Sequence, residues 1–275
     1  MKIRLGLTHE PDDAFMFHAL LTGKVDCGGL EIEPLVEVFP ILNDQASRGQ
    51  LEATVLSLHA YVYSRRRYRV ARCGATFGRT LGPSLIAREP MEMDELLGAT
   101  VAVPGVTSSA YLALTIWNPA VRTRVVPFDK VIPTVEMGLA DVGLVTPEEK
   151  PCLEITGLTT VMDLSVWWSG ETHGMPLPLG CFAIRQDLPE DVQATLHQAV
   201  ADSIQYALDH KDEVLAAIGG QTSAPDDETM QEFVEDYVSP LSVDIGDEGE
   251  QAMRAFLAHG QQAGLIETMD MVFVK

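Results

Sequence analysis

The chain has 275 residues, 46% of them hydrophobic and 21% charged, so it has enough apolar material for a sizeable core and does not fit the disordered class. With 40 acidic residues against 19 basic ones, its formal net charge is −21. Charge of this sign repels phosphate backbones and anionic lipids, so we expect no nucleic acid and no membrane surface among its partners.

The sequence also lacks targeting and metal-binding patterns. Its N-terminal residues have no apolar run of roughly seven to fifteen residues, and no stretch approaches the roughly twenty apolar residues of a membrane helix. The four cysteines are scattered, with no C-x-x-C spacing and no histidine in register, so they do not indicate a zinc site. We therefore expect a cytoplasmic protein without membrane insertion.

Strand-like and helix-like segments alternate along the chain. Strands are predicted at residues 2–7, 30–38 and 53–58, with helices at 14–22 and 41–48. The pattern then restarts, with strands at 100–103, 124–128 and 140–145 and helices at 108–117 and 129–137. The last third is predicted as helices at 190–218, broken near His210, at 228–237 and at 248–263. Strands separated by helices imply right-handed crossovers and open parallel sheets, so we expect the α/β class.

The same unit, a strand followed by a polar loop and a helix, opens both halves of this pattern. It covers residues 7–13 in the first half and residues 103–109 in the second. Where the strand ends and helix starts of two such lobes face each other, a ligand cleft forms between them. The sequence therefore predicts two lobes with a binding site between them.

Several short strings occur along the chain in an order that is typical of one enzyme family. They are PDDAFMFHAL at 11–20, LSLHAY at 56–61, GRTLGP at 78–83, VAVPGVT at 101–107, WW at 167–168, PLPLG at 176–180 and SVDIGDEG at 242–249. With these strings the chain resembles the 1,4-dihydroxy-6-naphthoate synthase family of the futalosine route to menaquinone. The resemblance runs nearly from end to end, and the combination of strings is more specific than any one of them.

The resemblance implies a type II periplasmic-binding-protein-like α/β fold with two lobes, each an open, mostly parallel sheet flanked by helices. We expect a discontinuous large lobe of residues 1–88 and 181–275 and a small lobe of residues 89–180. Members of the family resemble lyases that convert cyclic dehypoxanthinyl futalosine to 1,4-dihydroxy-6-naphthoate, by removal of a sugar proton and elimination. The resemblance thus implies a small carboxylate or aromatic substrate. Because such chemistry needs only a base and a fixed pose, we expect no metal ion and no organic cofactor.

Two segments depart from the family pattern. The family loop after the first strand usually reads Ser-Pro-Cys-Pro-Asn-Asp-Thr-Phe, whereas residues 8–15 read Thr-His-Glu-Pro-Asp-Asp-Ala-Phe. After the strand that ends at Val145 the family has a His-Glu pair whose histidine is its proposed base, and here Pro147 stands at the position of the histidine. Because proline cannot carry a proton, two alternatives to the lyase stay open: a non-catalytic cytosolic binding protein, or a related enzyme for another small carboxylate or aromatic ligand.

Three residues could replace the missing base. His9 lies in the loop that is expected to face the cleft, and an imidazole titrates near neutrality. Glu148 matches the glutamate of the family's His-Glu pair and would need burial to act as a base at neutral pH. His59 follows the end of the third predicted strand. We rank them in this order, and each could instead be a surface or structural residue.

Substrate contacts are predicted from strand ends, helix starts and the family pattern. Thr107 and Ser108 begin a helix, where hydroxyls and exposed backbone N–H groups could hold a carboxylate, although the same residues could be an ordinary N-cap. Ser57 is expected at the end of a buried strand, and Asn43 matches a pocket amide of the family. Trp168 could stack on a flat aromatic product or pack at a hinge.

The first loop carries the remaining predicted contacts. Thr8 is assigned to the substrate site together with Asp12, which could bind the hydroxyls of a sugar-like group. Asp13 is expected to cap the helix that follows. These acidic side chains would repel a substrate carboxylate, so the anion site is predicted at the other loop.

Overall fold

The computed structural model describes residues 1–147 and 156–274, in which two β-sheets carry helices on their faces. In these ranges the strands of the first sheet are β1 Lys2–Leu7, β2 Glu31–Val36, β3 Ala53–Ser57, β4 Tyr68–Val70, β5 Thr76–Gly78 and β11 Leu177–Arg185. They lie in the order β2-β1-β3-β11-β4, and β5 also pairs with β11.

The second sheet is formed by the chain between β5 and β11. Its described strands are β6 Ser84–Ala87, β7 Thr100–Val103, β8 Arg122–Val125, β9 Val142–Val145 and β10 Thr159–Asp163. They lie in the order β10-β6-β9-β7-β8. The predicted α/β class with two open sheets is therefore confirmed.

The strand directions differ from the prediction of mostly parallel sheets. Strand β1 is parallel to β2 and β3, and β7 is parallel to β8 and β9. Strand β11 is antiparallel to β3, β4 and β5, and β6 is antiparallel to β9 and β10. Both sheets are therefore mixed. The sequence pattern missed these antiparallel strands because most are only three to five residues long and because Pro178 lowers the strand signal of β11.

Helices follow most of the strands, close to where the sequence pattern places them. They are α1 Pro11–Leu21, α2 Phe39–Ser47, α3 Leu58–Ser64, α4 Met93–Gly98, α5 Ser109–Trp117, α6 Val131–Glu136, α7 Leu164–Glu171, α8 Glu190–Asp209, α9 Lys211–Ile218, α10 Asp227–Tyr237, α11 Pro240–Val243 and α12 Gly246–Gln262. The predicted break at His210 separates α8 from α9. No described helix is long and apolar enough to span a membrane.

Helix α1 begins three residues earlier than the sequence pattern predicts. Pro11 occupies its first turn, where the fixed φ of proline suits a helix and its missing N–H leaves no hydrogen bond unmade. The acidic pair Asp12 and Asp13 therefore lies inside the first turn and not in a preceding loop.

The division into lobes at residues 88 and 180 stays a prediction. Strand β6 ends at Ala87 and pairs with β9 and β10 of the second sheet, and β11 begins at Leu177 in the first sheet. This sheet membership favours crossings a few residues earlier than those predicted, before Ser84 and before Leu177.

Helix α5 links the two halves of the fold. It follows β7 of the second sheet, yet it packs on β11 of the first sheet and on α3 and α12. Its apolar residues Leu112 and Leu114 are fully buried in one cluster with Phe256 and Cys181. The start of α5 is thereby fixed where the two sheets meet.

Candidate functional site

A cavity of about 90 Å³ lies between the two sheets, with room for several water molecules at roughly 15 Å³ each. Its lining comes from both halves of the chain, mostly from the ends of strands and the starts of helices, with further residues from β11 and α10: Glu10, Asp12, Phe39, Ser57, Thr76, Pro83, Ser108, Ser109, Ala110, Thr146, Pro147, Leu179, Gly180, Phe233 and Tyr237. This is the cleft that the paired strand–loop–helix units predict. In the described ranges no group of three or more His, Cys, Asp or Glu residues could hold a metal ion.

The start of α1, from its N-cap into its first turn, forms an acidic wall. Glu10 and Asp12 both line the cavity, and Asp12 is only 4% exposed. Glu10 is the N-cap of α1 but makes no side-chain capping hydrogen bond. This end of the cavity therefore presents carboxylates and disfavours a bound anion.

The loop between β1 and α1 is braced from within by Thr8 and Asp13. The backbone N–H and the hydroxyl of Thr8 donate to Asp13 Oδ2 over 2.8 and 2.7 Å, and Thr8 Oγ1 accepts from the N–H of Glu10 over 3.1 Å. Burial raises the pKa of the Asp13 carboxyl to about 6, against the lowering effect of the Thr8 hydrogen bonds. Asp13 therefore ties the helix to the preceding strand, and its predicted role as a helix cap is wrong. The Thr8 hydroxyl is likewise engaged within the loop and does not line the cavity.

Ser57 and Asn43 form a polar pair at the end of β3. The N–H of Ser57 donates to Asn43 Oδ1 over 3.3 Å, and Asn43 Nδ2 lies 3.5 Å from Ser57 Oγ. Both residues are buried, and Ser57 lines the cavity. These two residues, which the sequence analysis assigned separately to the substrate site, are thus neighbours, with Asn43 on α2 bonded to the backbone of Ser57.

The start of α5 forms the opposite, uncharged wall. Ser108 is the N-cap, and its hydroxyl accepts from the N–H of Tyr111 over 3.1 Å. The Ser109 hydroxyl donates to the Leu179 carbonyl of β11 over 2.5 Å. No acidic residue lies in the first turn, so its N–H groups and the helix dipole favour a bound carboxylate. Thr107 is half-buried and does not line the cavity, so Ser109 takes its place beside Ser108.

His59 lies behind this wall and connects it to α3. Its Nδ1 is 3.2 Å from the Ser108 carbonyl, its backbone N–H donates to Ser109 Oγ over 3.3 Å, and its Nε2 is 3.3 Å from the Tyr63 hydroxyl. A carbonyl only accepts, so this bond needs a proton on Nδ1. Burial lowers the pKa of His59, which favours the neutral ring, in which Nε2 accepts from Tyr63. His59 does not line the cavity, and its placement does not support a role as base.

Two other predicted site residues, His9 and Trp168, do not line the cavity. His9 is exposed, its carbonyl accepts from the N–H of Ser223 over 2.7 Å, and its side chain does not line the cavity. Trp168 is fully buried, where its indole N–H donates to the Pro176 carbonyl and its ring packs edge-on against Phe256. It does not line the cavity, so its placement favours packing over stacking on a ligand. Glu148 lies outside the described residues.

Aromatic residues of the cavity come from segments that the sequence pattern did not assign to the site. Phe233 and Tyr237 stack on each other in α10 with ring centroids 4.4 Å apart, and Phe39 begins α2. Their four-residue spacing puts Phe233 and Tyr237 on the buried face of an amphipathic helix, which is the pattern of ordinary core residues. No local signal distinguishes them from core, because the cavity brings them together only through the tertiary fold.

Strand β11 closes the floor of the cavity through Gly180. Its N–H donates to Thr76 Oγ1 over 3.0 Å, and a Cβ at this glycine would lie 2.6 Å from the same oxygen. Only glycine lets β5 approach β11 this closely. The wall beyond β9 is formed by Thr146 and Pro147, so the proline that replaces the expected histidine lines the cavity.

Comparisons with known proteins agree with this architecture. The sequence model of a family described as menaquinone biosynthesis matches residues 3–262. A 1,4-dihydroxy-6-naphthoate synthase of Thermus thermophilus is 37% identical over 263 residues, covering 96% of this chain and 95% of the relative. One of Streptomyces coelicolor is 29% identical over 265 residues, covering 94% and 93%.

Solved structures show the same fold. A crystal structure of an Archaeoglobus fulgidus protein superposes with a TM-score of 0.88 at 34% identity, covering 96% of this chain and 98% of that one. A Candida albicans protein described as having the generic periplasmic binding protein fold reaches a TM-score of 0.72 at 14% identity, covering 100% and 98%. The two-lobed periplasmic-binding-protein-like fold is thereby confirmed.

Proposed function

Because the chain belongs to the menaquinone-biosynthesis family, we propose that it is a lyase that converts cyclic dehypoxanthinyl futalosine to 1,4-dihydroxy-6-naphthoate. The observation that carries this proposal is the polarity of the cavity, with an uncharged helix start on one wall and carboxylates on the other. A substrate with a carboxylate at one end and a hydroxylated sugar at the other matches this polarity.

The walls suggest how the substrate would be held. Its carboxylate would lie at the start of α5, near Ser108 and Ser109, where backbone N–H groups favour an anion. Its aromatic part would pack against Phe39 and the Phe233–Tyr237 pair, and Ser57 would bind a polar group between them. The sugar would then face Asp12 in the first turn of α1. A pose fixed at both ends supports elimination by holding the reacting bond near a base.

We also propose that the ligand is a small aromatic carboxylate and that the protein acts in the cytoplasm. The ligand class is supported by the size and polarity of the cavity, and the location by the acidic composition and the biosynthetic names of the relatives. Pro147 is the observation that favours the alternative of a binding protein without turnover, because it lines the cavity where a histidine is expected.

The decisive experiment is incubation of the purified protein with cyclic dehypoxanthinyl futalosine, following release of 1,4-dihydroxy-6-naphthoate by its absorbance. We expect product from the unmodified chain and a clear loss with Ser57→Ala, which removes a cavity hydroxyl while leaving β3 intact. Absence of product together with a thermal shift on adding substrate would support the binding protein. Absence of both would contradict the proposal.

A further inference from the structure

The loss of the family's histidine coincides with a gain of carboxylates in the same cavity. Aligned residue by residue with the family loop, Glu10 stands where the pattern has cysteine and Asp12 where it has asparagine. Both side chains line the cavity together with Pro147. The cavity has thus lost an imidazole at one place and gained two carboxylates at another.

Of these two carboxylates, Asp12 has the surroundings of a base. It is 4% exposed, whereas Glu10 is half-buried. Burial disfavours the charged form of a carboxylate and so makes it accept a proton more readily. The phenol of Tyr237 also lines the cavity, but a phenol ordinarily keeps its proton at neutral pH.

The position of Asp12 is fixed by its helix and by the residue next to it. It lies in the first turn of α1, and the neighbouring Asp13 is tied to both the N–H and the hydroxyl of Thr8. A base that is held in place before the substrate binds loses little freedom in the reaction. The substrate carboxylate, held at α5, would not compete with it for the same wall.

We propose that Asp12 is the general base of this chain, taking the part that the family assigns to the histidine absent at Pro147. This inference rests on the lyase function proposed above. An Asp12 carboxylate oxygen takes the proton from the sugar carbon, and the electron pair of the broken C–H bond forms the new double bond of the sugar fragment. The bond between the sugar fragment and the naphthalene ring breaks. Its electron pair stays with the ring, and the ring carbon takes up a proton. The step thus balances without an oxidant or reductant.

The test compares wild type, Asp12→Asn, Glu10→Gln and the double variant Asp12→Asn/Pro147→His. Asp12→Asn restores the family's amide with almost no change in shape, and the double variant adds the family's histidine to it. We expect Asp12→Asn to lower kcat by roughly 10²- to 10⁴-fold, the usual contribution of a general base. We expect Glu10→Gln to lower it by less, and the double variant to regain at least about tenfold over Asp12→Asn, within the range of a general base.

Binding of 1,4-dihydroxy-6-naphthoate, measured by calorimetry, shows whether each variant keeps its site. We expect Asp12→Asn to bind the product as well as wild type does, since the anion site lies at α5. Turnover by Asp12→Asn within about threefold of wild type, far below the effect of losing a base, would overturn the inference while leaving the lyase function intact. If Asp12→Asn lost both product binding and turnover, the inference would also be overturned, because Asp12 would then be a structural residue. A wild type that binds substrate but releases no product would instead refute the lyase itself.

Discussion

The two helix starts that face each other across the cavity, those of α1 and α5, occupy equivalent places in the two halves of the fold and have opposite chemistry. Each follows the first strand of a parallel pair, β1 or β7. The first turn of α1 carries Asp12 and Asp13, and its N-cap makes no side-chain capping hydrogen bond. The first turn of α5 has no acidic residue and is capped by Ser108. The same backbone device therefore supports an anion site in one lobe and a carboxylate wall in the other.

A charge placed on the uncharged wall tests this contrast most strongly. Ser108→Asp keeps an N-cap of similar quality, because aspartate caps helices about as well as serine does, but it puts a carboxylate where the ligand carboxylate would bind. Juxtaposed like charges cost several kcal/mol, so the Kd for 1,4-dihydroxy-6-naphthoate should rise by about 100-fold or more, as calorimetry would show. The matched variant Ser108→Asn keeps the cap without the charge and should change the Kd far less. Equal effects of the two variants would contradict an anion site at α5.

Asp13, the neighbour of Asp12 in the first turn of α1, makes the stability of the protein depend on pH. The pKa of Asp13 is raised from 3.8 to about 6 in the folded protein, so its contribution to stability is fully present below pH 3.8 and is lost as the pH rises through 6. At about 1.4 kcal/mol for each pKa unit, the loss is at most about 3 kcal/mol. Denaturant unfolding of wild type and Asp13→Asn at pH 4 and pH 7 should show wild type losing stability relative to the variant. A stability difference that does not change between these pH values would refute this account.

The smallest effect is expected behind the α5 wall. His59→Phe keeps a ring of similar size but removes the contact with the Ser108 carbonyl, so α5 should be held less well and KM should rise by about tenfold. Steady-state kinetics should show kcat nearly unchanged, whereas loss of a general base would lower it by at least about 100-fold. Tyr63→Phe removes only the hydroxyl beside Nε2 and should have a smaller effect than His59→Phe. A collapse of kcat in His59→Phe would restore His59 as a candidate base.

The sequence predicts the elements around the cavity better than the sheets that hold them. The loop after β1, the end of β3 and the start of α5 are all found from local patterns, because caps, strand ends and turn residues act over a few positions. The separate assignments of Ser57 and Asn43 to the site and the possible cap at Ser108 follow from these patterns and from the family resemblance. Strand β11 was missed because pairing between distant segments leaves little trace in the local sequence.

Side-chain direction was the less predictable part of the site. The loop that carries His9 does reach the cavity, yet Glu10 and Asp12 line it while His9 is exposed. Likewise Ser109, one residue beyond the predicted pair, faces the cavity in place of Thr107. Neighbouring side chains of a loop or a helix start point in different directions. Only tertiary packing decides which of them faces the cavity.

The place of β11 in the first sheet has a consequence for the growing chain on the ribosome. Strand β11 pairs with both β3 and β4, but the whole second sheet is encoded between β4 and β11. Until Arg185 has emerged, β3, whose residues are all buried in the finished fold, keeps an open edge with unpaired backbone groups, the kind of edge that pairs with other chains. The lobe whose synthesis begins first is therefore completed last. The second sheet can form before the interior strand β11 joins the first sheet.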